Sequence, residues 1–253
     1  MHTAIALANG GLLTFGWALK GQLGLADPDQ RYHRPAAAAA AAEDQLLPAA
    51  VAACLSADPG RSLTLPVVAH VAAGQRHTVI VTADGRVFTC GDAGLGALGY
   101  QCPQASPQRL FRQVDLACAA GMGQGATPEA AIGTAYAPAA ASAAAGGFHT
   151  VVLLRDGHLV SFGSNSSGQL GRGDCGRRRA EAAEGGDSAD SEVQDKAWAE
   201  PGLIQGIELA AAVACGALTS IILTTAGAAL ACGSNTFGRY SIAAVVRPGK
   251  VYS

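Results

Sequence analysis

Three histidines share a neighbour. His2, His77 and His149 are each followed by threonine. Imidazole suits general acid–base work near neutral pH and is the commonest metal ligand. Residues 94–99, GLGALG, satisfy the G-x-G-x-x-G pattern of a loop that cradles a dinucleotide pyrophosphate. Residues 162–174, FGSNSSGQLGRGD, match residues 15–27, FGWALKGQLGLAD, at seven of thirteen positions. Such glycine-rich loops can bind phosphate. Seven cysteines add candidate nucleophiles and metal ligands.

Spacing weakens most of these chemical readings. A dinucleotide loop must open a helix, whose N-terminus holds the pyrophosphate. GLGALG is followed by YQCPQASPQR, and Pro103 and Pro107 oppose that helix. The cysteines form no C-x-x-C pair, so no zinc ribbon or thioredoxin-type site is expected. Their odd number fits reduced thiols and a cytoplasmic or nuclear location. No cofactor, metal site or catalytic constellation is predicted.

The glycines obey a common ruler. With Gly74 and Gly146 as zero, histidine follows at three (His77, His149) and threonine at four. Glycine recurs at eleven (Gly85, Gly157), seventeen (Gly91, Gly163) and twenty-two (Gly96, Gly168). From Gly216 the ruler finds Gly227, Gly233 and Gly238, with Thr219-Ser220 in the His-Thr slot. Laid back from Gly16 it finds His2, Gly10 and Gly21, with its zero before residue 1. Gly16, Gly91, Gly163 and Gly233 are 75, 72 and 70 residues apart. A period of this size means a propeller, solenoid or array.

Each copy reads as a β-hairpin. HTVIVT and HTVVLL are β-branched and aliphatic runs followed by Asp84-Gly85 and Asp156-Gly157, a strong hairpin signal. Asn9-Gly10 takes that place in the first copy. VAAGQ and LAAAVACG, ahead of the second and fourth hairpins, read as a further strand. A lone hairpin cannot bury its apolar faces, so the copies must pack on one another. The predicted fold is all-β, a propeller with repeats at 1–27, 67–100, 143–174 and 209–241. Residues 28–66, 101–142 and 175–208 read as rim insertions, with RRRAEAAEGGDSADSEVQDK polar enough for disorder.

The ruler reassigns the chemical candidates. Histidines in one repeat slot sit in separate blades and do not converge on a substrate, so a structural hydrogen bond shared with the next threonine is expected. Cys90 and Cys232 take the slot of Phe15 and Phe162, a buried apolar position, and no basic neighbour would activate them. Asn165 and Gln169 are expected to satisfy backbone groups of their own loop. Gly24, Gly99 and Gly171 close the loops of the first three copies.

AGGFHTVVLLRDGHLVSFGSNSSGQLGRGD resembles the repeat of the regulator-of-chromosome-condensation family: A/C-G-x-x-H-T, then D-G, then G-x-N-x-x-G-Q-L-G. The first copy keeps Gly21–Gly24 as G-Q-L-G, the second reads Ala97-Leu98-Gly99, and the fourth reads Arg239-Tyr240-Ser241 after Gly238. The resemblance implies a seven-bladed propeller, of which four copies read as part. It also implies a non-enzymatic scaffold that binds other proteins. The alternative it implies is a guanine-nucleotide exchange factor for a Ran-type small GTPase. With charged residues at 14% and a net charge of −2, the chain has no electrostatic pull toward nucleic acid. Residues 209–232 carry no charge and could span a membrane on length alone, but the repeat assigns them to a hairpin.

Overall fold

A computed structural model describes residues 1–25, 44–55, 62–102, 107–117, 138–173, 200–235, 244–247 and 250–252. The described elements are all strands. β1 (His2–Ala6) and β2 (Leu12–Trp17) form the first hairpin, with β3 (Asp44–Ala50) beside β2. β4 (Ala53–Leu55) and β5 (Ser62–Thr64) follow. β6 (Val68–Ala73), β7 (His77–Thr82), β8 (Val87–Gly91) and β9 (Gln108–Gln113) make the second blade, with β4 and β5 extending its edge. β10 (Ala140–Ala145), β11 (His149–Leu154), β12 (Leu159–Gly163) and β13 (Gly202–Leu203) make the third. β14 (Ala210–Cys215), β15 (Thr219–Thr224), β16 (Ala229–Gly233), β17 (Ala244–Arg247) and β18 (Lys250–Tyr252) make the fourth. The architecture is a β-propeller arc.

The stretches that read as insertions are only partly loops. They contribute β3 to β5, β9, the start of β10, and β13. The outer strand of a blade follows a long loop and lacks the ruler's glycines, so nothing in the period marks it. Residues 26–43, 118–137 and 174–199, which hold the alanine tract and the charged run expected as loops, lie outside the described residues.

The turns explain why glycine recurs at eleven. Gly85 has φ 86°, and its N–H donates to the Thr82 carbonyl at 2.8 Å. Its own carbonyl accepts from Ala140 N–H of the next copy at 2.8 Å. Gly10 and Gly157 repeat both bonds, to Val68 and Ala210. The turn therefore closes one hairpin and pins it to the following inner strand. Gly227 closes the last hairpin in the same way, at φ 88°.

The core lies between the blades. One cluster joins Leu12 of the first copy to Ile80, Phe88 and Phe111 of the second. Another joins Val79 and Val81 to Val152, Leu154 and Phe162. A third joins Val151 and Leu153 to Ile222 and Leu230. β7 and β11 are buried along their whole length, because a blade covers each face. β1 and β15 alternate instead, with one face covered and one open.

Residues 209–232 form β14, β15 and β16, three antiparallel strands. Among the described residues no helix is long and apolar enough to cross a membrane.

Candidate interaction face

The histidines do not converge; each spans one boundary between copies. His2 Nε2 lies 2.7 Å from Thr78 Oγ1, His77 Nε2 lies 3.1 Å from Thr150 Oγ1, and His149 Nε2 lies 2.9 Å from Ser220 Oγ. Each hydroxyl donates its one hydrogen to a loop carbonyl of the histidine's own copy. Thr78 donates to Gln22, Thr150 to Ala97 and Ser220 to Gln169, at 2.6, 2.9 and 2.8 Å. The hydroxyl must then accept from imidazole, so Nε2 carries a proton, and in the neutral ring Nδ1 carries none. Burial enforces that state. It lowers the His77 pKa to about 3 and the His149 pKa to about 4, and with the N-terminal amine lowers His2 to about 4.

The zero glycines make room for these rings. A Cβ on Gly74 would fall on the His77 ring, and one on Gly146 would fall on the His149 ring. Gly216 keeps that space, and Thr219 Oγ1 occupies part of it. Gly16, Gly91, Gly163 and Gly233 lie opposite the third-position residue in the hairpin ladder, as in the pairs His77–Gly91 and Thr219–Gly233. A Cβ on Gly91 would strike the Arg76 carbonyl.

The loops after each hairpin fold on themselves. Gly21, Gly24, Gly96, Gly99, Gly168 and Gly171 all take positive φ. Asn165 Oδ1 accepts from Leu170 N–H at 3.1 Å, and Gln169 Oε1 accepts from Ser167 N–H at 2.9 Å. GLGALG is one of these loops, and β9 is the next described element. Gly238 lies outside the described residues. Burial pushes the thiols of Cys215 and Cys232 up to about 12 and 11, which suits packing rather than nucleophilic attack.

One clip was missed from the sequence. Thr14, Thr89 and Ser161 donate to the carbonyls of Leu23, Leu98 and Leu170 at 2.7, 2.7 and 2.9 Å. All three hydroxyls stand two residues before a ruler glycine, a slot that holds Ala231 in the fourth copy. Reading that column down the copies would have found it.

Two surface positions differ from copy to copy. Two residues past the zero stand Met1, Arg76, Phe148 and Leu218; at twenty-one stand Lys20, Leu95 and Ser167. Both positions lie at one end of the blades, tied by the Asp92 N–H bond to the Arg76 carbonyl. Arg76 stacks over the Phe148 ring at 5.6 Å. Asp92 bridges Lys20 at 3.7 Å and Arg76 at 3.5 Å. The result is a mixed cationic and apolar strip held in place by neighbouring copies.

The fold and this buried relay define a repeat protein of propeller blades. A family model for the Regulator of chromosome condensation (RCC1) repeat matches residues 68–96, 141–169 and 210–239. The chain carries that repeat at these three places. It is 28% identical over 184 residues to mouse "Probable E3 ubiquitin-protein ligase HERC4", covering 71% of this chain and 13% of that protein. It is 30% identical over 142 residues to the Arabidopsis thaliana "RCC1 domain-containing protein RUG3, mitochondrial", covering 41% of this chain and 32% of that protein. The chain thus spans a third or less of these relatives. Its fold is similar to Saccharomyces cerevisiae Prp20p, with a TM-score of 0.59 and 19% identity, covering 92% of this chain and 43% of that one.

Proposed function

We propose that the chain is a non-enzymatic scaffold that binds another protein through the strip around Arg76 and Phe148. One observation carries this reading. The polar residues common to the copies are spent on hydrogen bonds within and between the copies, whereas the residues that vary stand at the surface. A rigid frame with variable surface positions is what selective protein binding requires. Arginine beside an aromatic ring is also a frequent interface anchor.

Cross-linking in cell extract tests the strip. The double variant Arg76→Glu, Phe148→Ala is expected to lose the cross-linked protein. Arg155→Ala, at the hairpin-turn end, is expected to retain it. Equal capture by both variants would show that the strip is not the binding surface.

The fold likeness to Prp20p favours a second reading. That structure is described together with binding to Gsp1p and histones. On this reading the strip would engage a Ran-type small GTPase and speed its nucleotide release. The scaffold reading expects no such acceleration.

A further inference from the structure

The loop end of the blades carries more positive charge than it pairs. The loops 17–24, 91–99 and 164–173 and the turns 74–77 and 146–149 lie there, and Asp92 is the only carboxylate among them. Their cations are Lys20, Arg76 and Arg172. Arg172 is spent on the Ser161 and Glu200 carbonyls. Asp92 is shared: one oxygen accepts the Gly94 N–H at 3.0 Å, and the other faces both Lys20 and Arg76. Those two contacts, at 3.7 and 3.5 Å, are longer than a charge-assisted hydrogen bond of about 2.8 Å. The Lys20 and Arg76 side chains are 39% and 40% exposed, against 13% for Asp92. The acid is covered and the two cations face solvent.

The backbone holds this strip ready. The Arg76 carbonyl accepts the Asp92 N–H at 2.9 Å, the Gln75 N–H donates to the Gly146 carbonyl at 3.2 Å, and the Lys20 N–H donates to Gln22 Oε1 at 2.9 Å. Leu95, also exposed, stands two residues before Ala97, whose carbonyl accepts the hydroxyl of Thr150, two residues after Phe148. On the ruler Asp92 stands at eighteen, where the other copies have Trp17, Ser164 and Ser234. The charged cluster therefore occurs once among the four copies.

We propose that this strip receives an acidic, leucine-bearing segment of a partner protein, with carboxylates on Lys20 and Arg76 and an aliphatic side chain against Leu95 and Phe148. The inference rests on the scaffold reading and gives its partner a chemistry. Charge complementarity selects the occupant, because carboxylates neutralise the surplus and can pair with the guanidinium fork. Leu95 and Phe148 favour a peptide over a nucleic acid, whose phosphate backbone has nothing apolar to lay on them. Lys20 and Arg76 share Asp92, so an incoming carboxylate competes with it. Asp92 therefore sets the affinity of the strip as well as its geometry.

Fluorescence anisotropy tests this on the 253-residue chain with a labelled peptide of glutamate, aspartate and leucine. A control peptide replaces each acid with its amide. The acidic peptide is expected to bind saturably and more weakly as salt rises, and the control at least about tenfold more weakly. Lys20→Gln and Arg76→Gln should each weaken binding about two- to fivefold, the worth of an exposed ion pair. Asp92→Asn keeps an oxygen for the Gly94 N–H, removes the competing charge and should tighten binding by a similar factor. Arg155→Gln, at the hairpin-turn end, should change nothing. No saturable binding by the wild-type chain would overturn the proposal, whether the strip is bare or covered by the chain's own acidic residues 181–195. So would equal binding of the control, an oligonucleotide that binds as tightly, or binding unchanged or weakened by Asp92→Asn. The scaffold reading fails separately. Loss of the cross-linked protein with Arg76→Glu, Phe148→Ala, without binding of the acidic peptide, would keep the strip and remove the acidic partner.

Discussion

His77 Nε2 donates to Thr150 Oγ1 across the boundary between the second and third copies, at 3.1 Å with both residues fully buried. Seventy-three residues separate them in the chain. The bond joins copies, and the Thr150 bond to the Ala97 carbonyl completes a three-member clasp.

That clasp should be measurable as a coupling. His77→Phe and Thr150→Val each remove a partner; the first leaves Thr150 its bond to the Ala97 carbonyl, and the second leaves the buried His77 N–H unpaired. Denaturant unfolding of both single variants and the double is expected to give a coupling of about 1 to 2 kcal/mol. Additive losses would show that the bond does not join the blades energetically.

The neutral histidines make the fold acid-sensitive. Their folded pKa values, about 3 for His77 and about 4 for His149, lie below the ordinary value of 6.5. The unfolded chain therefore binds protons first as pH falls. Stability is full above pH 6.5 and declines below it, at up to about 1.4 kcal/mol per pH unit for each histidine. Thermal unfolding from about pH 7.5 to about pH 4.5 is expected to show Tm falling on the acid side. His77→Phe should flatten that slope, and an unchanged slope would remove His77 as its source.

Glycine substitutions should separate backbone strain from crowding. Gly227 takes φ 88°, and a Cβ there would meet nothing within 4 Å, so Gly227→Ala meets only backbone strain, about 1 kcal/mol. Gly91 takes φ 122° and its Cβ would strike the Arg76 carbonyl, so Gly91→Ala costs clearly more, by a further ~1 to 3 kcal/mol. Chemical denaturation of both variants checks the order; equal losses would contradict the close approach at Gly91.

The repeat was legible because its physics is local and recurrent. Gly85 at a hairpin turn and the aliphatic runs of β7 and β11 announce themselves in any one copy. The His-Thr slot was legible as a shared position, and the structure supplies its direction, from one copy's ring to the next copy's hydroxyl. The outer strands were not legible. β9 begins seventeen residues after Gly91, and β13 holds only Gly202 and Leu203. Such strands are fixed by the edge they pair with, not by a pattern of their own. The strip around Arg76 was equally hidden, because variable residues break the period that revealed everything else.

A scaffold binds without catalysing, and that distinction can be measured. Release of a fluorescent guanine nucleotide from a Ran-type GTPase is followed with the chain in excess. The release rate is expected to equal that of the GTPase alone at every concentration of the chain. A rate that rises with concentration, and falls back with Arg76→Glu, Phe148→Ala, would contradict the scaffold reading and establish exchange activity at the same strip.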